Sequence, residues 1–108
     1  MTQINTDLIP EINRSLDLQF TASLSYNELH KKLSAEINHL INNNFEKLVF
    51  YLYRIDVDEN KMRFILDQNE GENAADLIAD LIIERQLQKI ESRKKFRNDG
   101  NIDEDEKW

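Results

Sequence analysis

Cysteine is absent from this chain, which excludes a disulfide framework and a thiolate metal site. The same absence fits a reducing cytoplasm. Only two glycines and one proline occur in 108 residues. A β-sandwich or barrel needs a turn signal every 8–12 residues or so, and this chain does not supply them. Long apolar runs are also missing. The longest, Leu48 to Tyr53, is far too short to cross a bilayer. Met1 to Asp17 shows no basic stretch followed by an apolar one, so no secretory signal is expected there.

Charge is present in abundance but unevenly placed. The formal net charge is −7. Nine acids and two bases lie between Asp56 and Glu84, and six bases and two acids between Glu84 and Arg97. Asp103, Glu104, Asp105 and Glu106 then make the end acidic again. Binding nucleic acid in bulk requires clustered positive charge, so a nucleic-acid partner is not expected from the overall balance.

Helix signals recur along the chain. Pro10 suits the first position of a helix whose Leu8, Ile12, Leu16 and Phe20 recur every four residues. Ser25 and Glu28 form an S-x-x-E capping box, with Leu24 and Leu29 at staple spacing. Tyr26, Leu29, His30, Leu33, Ile37, Leu40 and Ile41 then occupy one stripe about 120° wide. Asn44 is placed to cap the next element, Phe45 to Ile55. Its run of apolar residues also suits a buried strand, but no partner strand is evident, and we read it as a short buried helix. Asp58 caps a helix over Glu59 to Gln68, with Val57 and Met62 at staple spacing. After Gly71, Asn73 is expected to cap the longest helix, Ala74 to Phe96. Its acids lie early and its bases late, complementing the helix dipole. The expected fold is an all-α bundle of four to five helices with a long C-terminal helix. Residues 1–96 form the single domain, and 97–108 an acidic tail expected to be disordered.

Two segments, FEKLVFYLYRIDVDENKMRFIL and AADLIADLIIERQLQKIESRKKF, carry a resemblance. With Tyr53-Arg54-Ile55-Asp56-Val57 and the LIIERQLQK helix, the C-terminal two-thirds of the chain resembles a group of small, acidic, all-helical bacterial proteins with no assigned activity. The resemblance implies a helical fold and a bacterial cytoplasm. It implies no cofactor and no site residue.

No catalytic constellation is legible, and neither a cofactor nor an enzymatic activity is expected. Asp56-x-Asp58-x-Asn60 matches the opening of an EF-hand loop, but Lys61 replaces the turn glycine and Asp67 the final glutamate. A helix connection capped by Asp58 accounts for it better. Glu36-x-x-His39 is half of a di-metal motif. The other histidine, His30, points to the opposite side of its helix and reads as a hydrogen-bonded core residue. The bases from Arg85 to Arg97 fit a solvated helix end better than a phosphate-binding stripe.

The last helix is expected to show two apolar faces. Ala74, Leu77, Ile78, Leu81 and Ile82 suit a bundle core. Ala79, Ile83, Leu87 and Ile90 form a second, narrow seam, roughly opposite. That seam is the candidate interface of a symmetric homodimer, the competing account being that the first helix covers it. The expected role is therefore self-association or binding of a protein partner. The alternatives are a regulator contacting nucleic acid or a basic partner, and, third, a metal-dependent enzyme.

Overall fold

The computed structural model describes residues 6–69 and 71–99. They form five helices: α1 Leu8–Leu16, α2 Tyr26–Asn43, α3 Phe45–Ile55, α4 Glu59–Gln68 and α5 Gly71–Asp99. No strand occurs among the described residues. The fold is thus the all-α bundle with a long C-terminal helix that the sequence implied. Helix α5 is its spine: it packs on all four other helices, most extensively on α2.

The caps explain where the helices begin. The Ser25 hydroxyl accepts from Glu28 N–H at 3.2 Å, and Glu28 Oε1 accepts from Ser25 N–H at 2.9 Å, so the capping box closes in both directions. Asn44 Oδ1 accepts from Lys47 N–H. Asp58 Oδ1 accepts from the Asn60 and Lys61 amides at 2.9 and 3.3 Å. Each bond serves an amide that has no acceptor inside its own helix.

The ends of two helices depart from expectation. Helix α1 begins at Leu8, so Pro10 is its third residue rather than its first. The position suits it, because amides throughout the first turn lack a helical acceptor. Helix α1 also stops at Leu16, leaving Phe20 outside it. There the Asn13 side-chain amide donates to Phe20 C=O and accepts from Phe20 N–H, both at 2.9 Å, in place of a peptide partner. Helix α5 starts at Gly71, which puts Asn73 inside its first turn rather than at its cap. Glu72, in that turn, lies at the positive end of the helix dipole. At the other end α5 runs to Asp99, three residues beyond its expected end at Phe96. The remainder of the expected tail, residues 100–108, lies outside the described residues.

The core draws on every helix. Leu8, Ile12 and Leu16 of α1 meet Leu29, Leu33 and Ile37 of α2, Leu48, Leu52 and Ile55 of α3, Met62 of α4, and Ile78 and Ile82 of α5. The two faces expected on α5 are the edges of one arc. Ala74, Ala75, Ile78, Ala79, Ile82, Ile83, Gln86 and Ile90 are all buried, and at ~100° per residue they sweep about 180° of the helix. Leu77, assigned to the core face, is 40% exposed instead.

Two aspartates, Asp17 and Asp56, adopt the left-handed conformation, with φ 57° and 70°. Each ends a helix, and each is gripped by an arginine from another. Arg54 Nη1 donates to Asp17 Oδ2 at 3.5 Å, and Tyr51 Oη donates to the same oxygen at 3.2 Å. Arg85 holds both the carbonyl and the carboxylate of Asp56.

Candidate functional site

The seam proposed for dimer contact lies inside the bundle. Ala79, Ile83 and Ile90 are buried within a single chain, and Leu87 is half-buried against the core. The reason is that α1 folds back on α5: Ile90 lines one hollow with Pro10 and Glu11. An exposed apolar row was the premise of the interface, and these four residues do not form one.

Exposed apolar residues are most concentrated on α3; Phe64 of α4, 66% exposed, and Leu77 of α5 stand singly. The α3 segment is a helix, as expected, but only one side is buried. Leu48, Tyr51, Leu52 and Ile55 face the core. Phe50 and Tyr53 are 59% and 58% exposed, Phe45 is 43% exposed, and Val49 is half-buried. At ~100° per residue these four fall on an outward arc of about 140°. Glu46 lies within that arc. Arg54 borders it, its guanidinium 5.8 Å from the centroid of the Phe50 ring. Sequence reasoning missed this face because α3 is apolar almost all round, and periodicity could not say which side the bundle would cover.

A second, polar feature lies between α2 and the start of α5. Asn27, His30, Lys31, Ser34, Asn38, Glu72 and Asp76 are among the residues lining a cleft there. His30 Nε2 is 2.8 Å from Asp80 Oδ1 and 3.3 Å from the Asp76 carbonyl oxygen. Both neighbours are acceptors, so this nitrogen carries the proton. His30 is therefore hydrogen-bonded, as expected, but it stands at the rim of the core, its side chain 25% exposed. The Ser34 hydroxyl donates to Asp76 Oδ1. Hydroxyl and imidazole each address a different carboxylate, an arrangement that ties α2 to α5. A serine nucleophile would need the imidazole to take its proton.

Three groups of the two metal-like motifs, Asp56, Asp58 and His39, have other partners. The Asp56 carboxylate meets Arg85, and the Asp58 carboxylate caps α4. His39 is exposed, its Nδ1 3.1 Å from Asn43 Nδ2, while Glu36 is half-buried. Among the described residues, no three His, Cys, Asp or Glu side chains gather at one point. No helix among them is long and apolar enough to cross a membrane.

The basic end of α5 is shared with α1. Arg93 Nη2 is 3.0 Å from Glu11 Oε1, an oxygen that Arg14 also contacts, and Lys94 Nζ is 3.8 Å from Asp7 Oδ2. Lys89, half-buried between Arg85 and Arg93, has its pKa lowered, chiefly by burial and next by the Arg85 charge. Comparison with protein-family models, curated proteins and solved structures returned no match to the chain.

Proposed function

We propose that this chain is a non-catalytic, cytoplasmic helical protein, of the small acidic bacterial kind its YRIDV and LIIERQLQK segments resemble. It works by pairing with a second copy of itself through the outward face of α3. The observation that carries this reading is the placement of three aromatic residues, Phe45, Phe50 and Tyr53, on one exposed face of one helix. Exposed apolar surface gathered on one face marks contact sites, and aromatics are enriched at the centres of interfaces.

Charge favours a second copy as the partner. Glu46 and Arg54 lie eight residues apart, about 12 Å along α3, with Phe50 midway between them. Two copies of α3 packed antiparallel about a two-fold axis at Phe50 set each Glu46 against the other copy's Arg54. A two-fold interface must be self-complementary in this way. Among the described residues, Arg54 donates hydrogen bonds through Nη1 alone, to Ser15 C=O and Asp17. The non-catalytic part of the reading is supported by the α2–α5 cleft, where His30 and Ser34 point at separate carboxylates.

Sedimentation equilibrium tests the proposal. Wild type is expected to be a dimer, and Phe50→Lys with Tyr53→Lys a folded monomer, since neither side chain belongs to the core. Glu46→Arg and Arg54→Glu should each weaken the dimer alone and restore it when combined. A wild type that stays monomeric at high concentration would overturn the self-association reading.

A further inference from the structure

Positive charge collects on one face of α5 in a chain that is acidic overall. Arg85, Lys89 and Arg93 follow one another at intervals of four residues, so that each stands one turn above the last. With Gln88 and Ser92 they line a shallow, open groove. Like charges at this spacing repel, and an opposite charge should be found among them.

Acids answer only part of that charge. Arg85 is held by Asp56, and Arg93 by Glu11. Glu11 is shared with Arg14, so one carboxylate serves two guanidiniums. Lys94 takes Asp7. Lys89, in the middle, forms no ion pair with any described residue. In the groove itself three bases, Arg85, Lys89 and Arg93, thus meet two carboxylates, Asp56 and Glu11. Lys89 is the base left without a carboxylate. Ser92 adds a hydroxyl donor. Gln88 adds amide N–H groups, because it is its Oε1 that accepts from Arg85.

We propose that this groove binds a compact oxyanion, a phosphate group, seated on Lys89 with Arg85 and Arg93 on either side. Lys89 lacks a carboxylate, and tetrahedral oxygens suit an ammonium flanked by two planar guanidiniums. The lowered pKa of Lys89 agrees, since an unpaired ammonium there is disfavoured until an anion arrives. An extended polyanion fits poorly. A nucleic-acid strand following the groove would meet Asp56 at one end and Glu11 and Asp7 at the other. The phosphate can be free in solution or belong to a small monoester.

The full chain is titrated with inorganic phosphate and, separately, with glycerol phosphate, against chloride at matched ionic strength. Heteronuclear NMR of the Lys89 side chain reads the result. Either phosphate should shift the Lys89 Nζ resonance saturably and raise the Lys89 pKa, while chloride does neither. The ligand that binds more tightly identifies the source of the group. Lys89→Gln, a change at a half-buried position that leaves α5 intact by circular dichroism, should weaken phosphate binding at least about tenfold. That binding is followed through backbone amides from Arg85 to Arg93. A response to phosphate no larger than that to chloride would overturn the proposal, as would undiminished binding by Lys89→Gln.

Discussion

Arg85 grips Asp56 at two points: Nε donates to the Asp56 carbonyl at 3.1 Å, and Nη2 to its carboxylate at 3.2 Å. The contact joins the left-handed end of α3 to the middle of α5, 29 residues further along the chain. A non-glycine residue in this conformation is strained by roughly 1–2 kcal/mol. Aspartate tolerates it better than most, and here its carboxylate also answers an arginine. Asp56→Ala removes the carboxylate and keeps the strain, whereas Asp56→Gly removes both. Asp56→Ala should therefore be less stable than Asp56→Gly by about 1 kcal/mol, read from urea midpoints. Equal midpoints would mean that a side chain at this left-handed position carries no strain.

Gln86 stands in the buried arc of α5 with no exposed surface, and neither atom of its amide has a hydrogen-bond partner among the described residues. A buried amide left unpaired costs about 1–3 kcal/mol. Methionine has nearly the same length and no such requirement. Gln86→Met should raise stability by an amount in that range, measured by thermal or urea unfolding. A lower midpoint would show that the amide is satisfied in solution.

The capping box of α2 should be visible in the response to acid. The Glu28 carboxyl is held below its ordinary value of 4.5, first by the Ser25 backbone N–H, then by the Ser25 side chain. Between the folded value and 4.5 the unfolded chain binds more protons. The stabilisation is therefore complete above 4.5 and is lost as the pH falls through the folded value. Glu28→Gln should lose stability at pH 7, and the loss should shrink as the pH falls below 4.5. Ser25→Ala, which deletes the other half of the box, should be destabilised by roughly 0.5–2 kcal/mol at pH 7.

Lys89 titrates in the opposite sense to its usual role as a paired cation. Burial, Arg85 and Arg93 lower its pKa from 10.5, while Asp56 and Glu11 raise it by less. Below the folded value the ammonium is charged in both states, and folding carries the penalty. Between that value and 10.5 the unfolded chain holds more protons, so stability rises with pH. In phosphate-free buffer Lys89→Met should be more stable than wild type at pH 7. Its advantage should shrink as the pH climbs into the alkaline range just below 10.5. An advantage independent of pH would assign the gain to packing.

Much of the fold was legible because its signals are local. Ser25, Asn44 and Asp58 each bond amides two or three residues ahead, within reach of any reading of spacing. The ends of α1 and α5 were harder to read, since Pro10 and Asn73 are acceptable both at a helix start and within a first turn. The Arg85–Asp56 grip and the sharing of Glu11 by Arg14 and Arg93 join residues distant in sequence, and no periodicity reports them. The row expected to be exposed on α5 is buried for a related reason. A hydrophobic pattern marks which residues are apolar, but which of two apolar sides is covered depends on where α1 and α2 pack. On α5 both edges are buried; on α3 one side is left facing outward.

That contrast gives the last prediction, because the two helices should respond oppositely to truncation. Ile83 is 2% exposed and touches the core shared with α1 and α2, so Ile83→Ala should cost about 2–5 kcal/mol through lost burial and the cavity left behind. It should leave the oligomeric state of the folded protein unchanged. Phe50 is 59% exposed, and its ring lies against its neighbour Tyr51 and the Arg54 guanidinium. In dilute protein Phe50→Ala should alter stability by no more than about 0.5 kcal/mol. At higher concentration, where paired chains stabilise the fold by mass action, the same variant should fall below wild type. Urea unfolding of both variants at two protein concentrations separates the effects. If Ile83→Ala were the concentration-dependent variant, contact between chains would involve α5 after all. If neither were, the outward aromatics of α3 would have no second chain to meet.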